Sequence, residues 1–536
     1  MKPFEVTNEK YHLGHLFRDI MNRDPSAICQ IDAATGERET NATVLRRSVQ
    51  LARCLRRYGT QPGDVLALGS YNHLDVHIPL YAAVMNGMPV TGVEFGSTPA
   101  IGFPYEYIDI KQHFKVCSPK IAFCQKDYFD DNLRAIKELG LDTKLICFDH
   151  EDYSMKKFIE EYDDDGDEEF EPSEFDLDKI YAGLVATGGT TGILKLAAFK
   201  HKVVVNRIYE MKNNPFYQAK EGERQKLSLV LSPVNWISMF LRSISLPYTN
   251  YIKLTTSAPA TTDHVIDIIN KYKPAVSLIW PPLAVSLIAC KKECDFTCFD
   301  SITLVAGKTA QNIHLELKKK LRPDAKISEG YGQTENLGFI VMPNPSGALG
   351  NCGKETINGQ SIKLVDPDTG KEVTEPNVSG ELWVKNVCFS EYFNNPEETA
   401  RAFSVNGWYK TGDLLYRNEE GSYFFVERLK MIIKYLNYHI FPEDLEKVIA
   451  EHPGVADVSV TCIPHNEDQE HPVACVVRKN GATVTAQQIK NLVANKLADY
   501  QKLRGGVIFM DKITLTSTGK VARGKLKQMA LTAHRE

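Results

Sequence analysis

At 536 residues the chain is too long for one ordinary hydrophobic core, and roughly two to four domains or subdomains are expected. With 43% hydrophobic and 24% charged residues its composition is that of a soluble globular protein, and a formal net charge of −5 gives no reason to expect nucleic acid as a partner. The opening MKPFEVTNEK has no charged-then-apolar signal pattern, no run is long and apolar enough to span a bilayer, and the closing AHRE is not the peroxisomal S-K-L. A cytoplasmic location without stable membrane insertion is therefore the expectation. Twelve cysteines are scattered with no CxxC pair, and the spacing of Cys290, Cys294 and Cys298 does not match a zinc site, so they read as reduced thiols.

The N-terminal third mixes helices with short apolar strands at VLALGS (65–70), KIAFC (120–124) and KLICFD (144–149). An acidic run at 161–171 reads as a solvated connection between subdomains. An apolar run from Ile180 to Ala186 leads into TGGTTGILK (187–195). Beyond it, strands at 227–232, 251–256, 275–280 and 302–307 alternate with helices at 263–272 and 311–321. Alternation of this kind requires crossover connections and a largely parallel sheet, with ligands beyond the carboxyl ends of the strands. After residue 430 the texture changes. Pro442 opens a helix with Leu445, Val448 and Ile449 on one face, followed by strands at 455–463, 472–477 and 506–510 and a helix at 489–500. The chain is thus expected to be α/β, with layered subdomains over residues 1–429 and a small, mobile α+β domain over 430–536.

TGGTTGILK combines backbone N–H donors at Gly188, Gly189 and Gly192 with hydroxyls at Thr187, Thr190 and Thr191. Such a loop can curl around phosphate oxygens, with Lys195 as a mobile point charge. It is not a P-loop, because Lys195 stands three residues after Gly192 and no Ser or Thr follows it. In GYGQTEN (330–336), Tyr331 could stack on a flat ring, Thr334 could donate to phosphate and Glu335 could hold magnesium. NGWYKTGD (406–413) ends in Asp413, able to accept both hydroxyls of a ribose, and Arg428 in ERLK (427–430) can hold a neighbouring oxygen bidentately.

Taken in order, TGGTTGILK, GYGQTE, GWYKTGD, ERLKMIIKY and TSTGK (516–520) resemble the adenylate-forming superfamily of acyl-CoA synthetases, coumarate-CoA ligases, peptide-synthetase adenylation domains and beetle luciferases. The resemblance spans nearly the whole chain, and NNPEETARAF (394–403), KYLNYHIFPEDLE (434–446) and KLRGGVIF (502–509) draw it toward the insect luciferase and acyl-CoA synthetase branch. It implies adenylation of a small-molecule carboxylic acid by ATP and Mg2+, with release of pyrophosphate. By resemblance Thr187–Lys195 holds the pyrophosphate end, Tyr331 lies on adenine, Thr334 and Glu335 manage phosphate and magnesium, and Asp413 and Arg428 fix the ribose. Lys520 is similar to the lysine bridging carboxylate and α-phosphate, Lys430 stands at the hinge position, and Lys434 matches the lysine of the oxidative second step of luciferases.

The departures are specific. Leu194-Lys195-Leu196 replaces Pro-Lys-Gly in the phosphate loop, and Leu436-Asn437 replaces Lys-Gly in the small domain, where coenzyme A ligases run their pantetheine tunnel. In the acid pocket, Asn235 and Trp236 follow Pro233 without the histidine of beetle enzymes, and Ala306 and Gly307 stand in AGKTA for a Gly-Gly-Ala-Pro-like segment. Arg207 falls where beetle luciferases place an arginine beside the luciferin. On these grounds the expected second step is luciferase-type oxidation of the adenylate by molecular oxygen, with an acid other than beetle luciferin. Acyl transfer to coenzyme A is the alternative.

Overall fold

The computed structural model describes residues 10–93, 107–163, 170–187, 194–213, 225–245, 251–354, 359–436, 438–515 and 521–536. The phosphate-loop residues Gly188, Gly189, Thr190, Thr191 and Gly192, the middle of the acidic run, Asn437 and Lys520 lie outside these.

Short apolar segments form two sheets of seven strands each. One runs in the order Lys326–Glu329, Ser301–Leu304, Val276–Ile279, Lys226–Leu229, Tyr251–Thr255, Ile28–Asp32 and Arg38–Thr40. Every neighbouring pair is parallel except the last. Its helices pack as their periodicity dictates. Thr261 caps Thr262–Tyr272 through the His264 N–H, and the helix buries Val265, Ile266, Ile268 and Ile269. Each such side chain contributes about 1.5–3 kcal/mol by leaving water. The apolar segment after Trp280 is itself a helix, Pro281–Ala289, opened by its prolines.

The second sheet has the order Glu391–Tyr392, Lys195–Lys200, Tyr181–Thr187, Val90–Gly92, Leu66–Leu68, Ile121–Cys124 and Lys144–Cys147. Its first two junctions are antiparallel. The expected strands at 65–70, 120–124 and 144–149 are present within one to three residues of their expected limits. A third, antiparallel sheet, absent from the sequence reading, follows: Glu372–Val373, Ser361–Val365, Ser379–Lys385, Tyr409–Arg417 and Tyr423–Arg428.

The C-terminal sheet pairs Ile433–Tyr435 with Tyr438–Ile440 and with Gln469–Arg478, and the latter with Val455–His465 and Gly506–Phe509. Helices Pro442–Ala450 and Ala486–Lys496 complete it. A separate apolar core, from Ile433 and Ile440 through Leu445 and Ile449 to Val493 and Val507, holds it together. The architecture is a large α/β N-terminal domain and a small α+β C-terminal domain. Among the described residues no helix is long and apolar enough to cross a membrane, and all twelve cysteines are free thiols.

Candidate active site

Lys195 is the first residue of its strand and pairs across the sheet with Thr187, so the two described ends of the phosphate loop are held side by side. On the other edge, Ala197 pairs with Tyr392. This brings the Lys195 ammonium 4.5 Å from the centroid of the Tyr392 ring and 3.2 Å from Glu398 Oε2. Glu398 sits in the first turn of Pro396–Ala402, where its N–H bonds the Asn395 cap. In the structure a carboxylate and an aromatic face hold the Lys195 ammonium at the start of a regular strand. Lys195 and Arg401 together hold the Glu398 carboxyl below its ordinary pKa, Arg401 more strongly, despite partial burial.

Tyr392 turns its hydroxyl the other way and donates to Glu335 Oε1 at 2.7 Å. Glu335 is buried in the short helical turn Thr334–Asn336, and its carbonyl accepts the Phe389 N–H. Thr334 is half-buried at the start of that turn, its carbonyl accepting the Leu337 N–H. Before it lies Gly332, where a Cβ would meet the Gly338 carbonyl oxygen at 2.0 Å, so only glycine lets Gly332–Gln333 pair with Gly338–Phe339.

Asp413 is only 2% exposed and lies directly across a hairpin from Arg428, whose Nε is 2.8 Å from Asp413 Oδ1. Its Oδ2 accepts the Tyr331 hydroxyl at 2.8 Å and the Gln333 side-chain amide at 2.6 Å. Gln333 also donates to the Thr411 carbonyl and accepts the Tyr409 hydroxyl. Burial, followed by the Asp413 charge, pushes the Tyr331 phenol well above its ordinary pKa, keeping it a donor. Burial opposes the Arg428 charge, but Asp413 and its neighbours outweigh it and raise the pKa. The Tyr331 ring stacks on Phe425 at 6.2 Å. Gln333, Tyr392 and Tyr409 were not singled out in the sequence, although Gln333 and Tyr409 stand inside the quoted motifs.

The candidate acid-pocket residues lie in three places. Trp236 meets Trp280 edge-on at 5.4 Å, and Pro281, next in the chain, is the nearest neighbour a Cβ on Gly307 would meet, at 3.6 Å. Asn235 is buried and lines a small cavity of about 20 Å³ with Gly92, Val234 and Phe240. Ala306, with φ of 69°, and Gly307 form an exposed turn, because the strand expected to reach 307 ends at Leu304. Arg207 is not a surface charge. It is buried on the helix His201–Asn213 and donates to the Phe339 carbonyl at 3.4 Å, which ties it to the Tyr331 turn.

The proposed hinge and cap residues lie in a more open setting. Lys430 is exposed within the turn Leu429–Met431, and Lys434 projects from Ile433–Tyr435, its backbone N–H bonded to Glu470 Oε2 at 3.0 Å. With Leu429, Ile432, Gln469 and Glu470 they line a cleft of about 430 Å³. One ion pair, Lys308 to Glu443 at 2.9 Å, joins AGKTA to the first turn of the helix Pro442–Ala450.

The AMP-binding enzyme family matches residues 17–392, and the AMP-binding enzyme C-terminal domain matches residues 444–520. The chain belongs to the AMP-binding enzymes. This AMP-binding enzyme is 28% identical over 514 residues to the luciferin 4-monooxygenase of Photuris pensylvanica, covering 94% of this chain and 92% of that protein. It is also 28% identical to 4-coumarate–CoA ligase 2 of Nicotiana tabacum, covering 93% of this chain and 91% of the ligase. Its fold is similar to that of ATP-bound MatB from Rhodopseudomonas palustris, with a TM-score of 0.81 at 22% identity, covering 97% of this chain and 99% of that one. As an AMP-binding enzyme it makes adenylates, and the fold and recognition read from its motifs hold.

Proposed function

We propose that this enzyme uses ATP to activate a small-molecule carboxylic acid and then transfers the acyl group to coenzyme A. In the first step the carboxylate attacks the α-phosphorus, the bond to the bridging oxygen breaks, and pyrophosphate leaves an acyl-adenylate behind. The observation that carries this is Asp413, buried and aimed by Tyr331, Gln333 and Arg428. A carboxylate fixed by this many donors is preorganised for the two hydroxyls of a ribose, with the adenine along Tyr331.

Thr187 through Lys195, including Gly188, Gly189, Thr190, Thr191 and Gly192, would receive the pyrophosphate end, and Thr334 would donate to phosphate. Glu335 offers the hard oxygen ligand that suits magnesium, its carboxylate oriented by Tyr392. A bound Mg2+ supplies neutralisation of the triphosphate charge. Lys195 places a second cation on the same side, and Lys520 would bring a third from the C-terminal domain. Arg207, Asn235, Trp236, Ala306 and Gly307 would border the acid, with residues 1–429 forming the adenylation domain and Lys430 the pivot for 430–536.

For the second step, the cleft beside Lys430 and Lys434 favours the thioester over the oxidation expected from the sequence. It is open and lined by two exposed lysines, whose charges would suit the phosphates of coenzyme A. Luciferase-type oxidation by oxygen keeps Lys434, which by resemblance matches the lysine of that step, and the replacement of Lys-Gly by Leu436-Asn437. Leu436 stands where the ligases carry lysine, and adopts a left-handed φ of 50°, unusual for a branched side chain. Incubation with ATP, magnesium and a panel of acids, following pyrophosphate, coenzyme A thioester and photons together, separates the cases. Thioester at many turnovers without light is expected. Light without thioester reverses the order of the two second steps, and no pyrophosphate with any acid sinks the adenylation itself.

A further inference from the structure

We propose that His465, Asp468 and His471, at the turn between the strands Val455–His465 and Gln469–Arg478, form a binding site for a divalent transition-metal ion of the zinc class. One ligand atom from each lies within 4.8 Å of the others, and among the described residues no other group of this kind occurs. Asp468 Oδ2 is 2.7 Å from His471 Nε2 and 3.4 Å from His465 Nδ1. Tetrahedral ligands held at about 2.0–2.1 Å from zinc stand about 3.3 Å apart, so the longer spacing already fits and the shorter one must open slightly. The ion would replace the proton shared by His471 and Asp468, and would take the His465 Nδ1 lone pair from the Asp468 N–H, which now lies 3.2 Å away. The register brings the imidazoles together: His465 pairs with Gln469 and Ile463 with His471, leaving the rings stacked at 3.9 Å.

Two imidazoles and one carboxylate suit zinc or its transition-metal neighbours and not magnesium, which prefers oxygen ligands. The side chains of His465, Asp468 and His471 are 39%, 25% and 14% exposed, so the ion has an open side for water while its protein ligands stay partly enclosed.

The site is hydrogen-bonded to the backbone of the segment that follows the proposed hinge, Ile433–Leu436. The Asp468 carbonyl accepts the Leu436 N–H at 3.0 Å, Tyr435 pairs with Gln469, and Glu470 holds the Lys434 N–H. An ion clamped on Asp468 therefore stiffens the segment presenting Lys434. The metal site stands whatever the second half-reaction proves to be.

The test uses the full chain titrated with zinc chloride against a chromophoric chelator, with millimolar magnesium present. One saturable site is expected, weakened about tenfold or more by His465→Ala and by Asp468→Asn. The first removes an exposed side chain and the second is isosteric, so both variants should fold. Hydrogen exchange of the Leu436 amide should slow with zinc in the parent chain and not in His465→Ala. No saturable binding, or equal binding by both variants as zinc on the free cysteines would give, overturns the site. Zinc-independent exchange at Leu436 overturns its link to the hinge strand.

Discussion

The Asp413 network and the Lys434 strand do opposite jobs with similar residue types. Around Asp413, every polar group named above is buried or half-buried and meets a partner across a sheet or turn. Around Lys434 and Lys430 the lysine side chains point into an open cleft, and the recorded tie at Lys434 is through its backbone. On the proposed reading, a site that would hold a ribose and triphosphate still gains from preorganisation. A strand proposed to arrive for only one half-reaction would gain from side chains that are not fastened.

The largest effect should come from cutting the fixed region at its centre. Asp413→Ala leaves the Arg428 charge without its carboxylate and strands the Tyr331 and Gln333 donors. A loss of about 3–5 kcal/mol in folding stability is expected, mostly from the two stranded buried donors, since the Arg428 side chain is 40% exposed. Denaturant unfolding measures it, and a change below about 1 kcal/mol would mean that the network does little to hold this region together.

Acid should reach the same domain by another route. Burial lowers His113 to about 4, and its Nε2 meets Thr91 Oγ1 at 2.7 Å. Below about 6.5 the unfolded chain takes up a proton that the folded chain refuses, so stability is complete above that pH and falls until about 4. The full span is about 3 kcal/mol at 1.36 kcal/mol per unit, to which His12, lowered to about 3, adds in the same direction. His113→Gln should flatten the slope of stability between these pH values, and an unchanged slope would show that His113 titrates freely.

Lys195→Ala tests whether the fixed region acts on the chemistry. If Lys195 neutralises the leaving pyrophosphate, adenylation slows by about a hundredfold, near 2.7 kcal/mol. Pyrophosphate exchange is the measurement. A rate within about threefold of the parent would make Lys195 only a structural partner of Glu398 and Tyr392.

How much of this contrast was legible in the sequence depends on distance along the chain. Continuous apolar runs such as 227–232 and 275–280 announced buried parallel strands, because both faces of such a strand are covered. The antiparallel strands Ser379–Lys385 and Tyr409–Arg417 carry apolar runs of only three residues, Leu382–Val384 and Leu414–Tyr416, too short to mark a strand. Asp413 and Arg428 were read as separate ribose ligands. Their position as a register pair depends on the hairpin between them. Tyr392 escaped notice for a plainer reason: an edge strand nearly two hundred residues away in sequence brings it to Lys195. Motifs identify residues that touch a ligand, whereas the residues that aim them emerge only from tertiary contacts.

The smallest effect should come from the ion pair between AGKTA and the helix Pro442–Ala450. Burial pushes the Glu443 pKa up, but Lys308 and then Lys447 outweigh it, and the net shift is downward. A depressed carboxyl contributes stability above its unfolded pKa of about 4.3 and loses it as pH falls through the lower folded value. The pair is therefore intact at neutral pH and released only in strong acid. Both partners are partly exposed, so Lys308→Ala should cost about 0.2–1 kcal/mol, diminishing with added salt. Its interest lies in the comparison rather than the size. If the C-terminal domain swings about Lys430, breaking a contact made in one orientation should change the two half-reactions unequally while leaving the Asp413 network alone. A double-mutant cycle of Lys308→Ala with Glu443→Gln, read as pyrophosphate release and as thioester formation, measures that coupling. Equal changes in both half-reactions would mean that this pair only adds stability and does not bias the position of the domain.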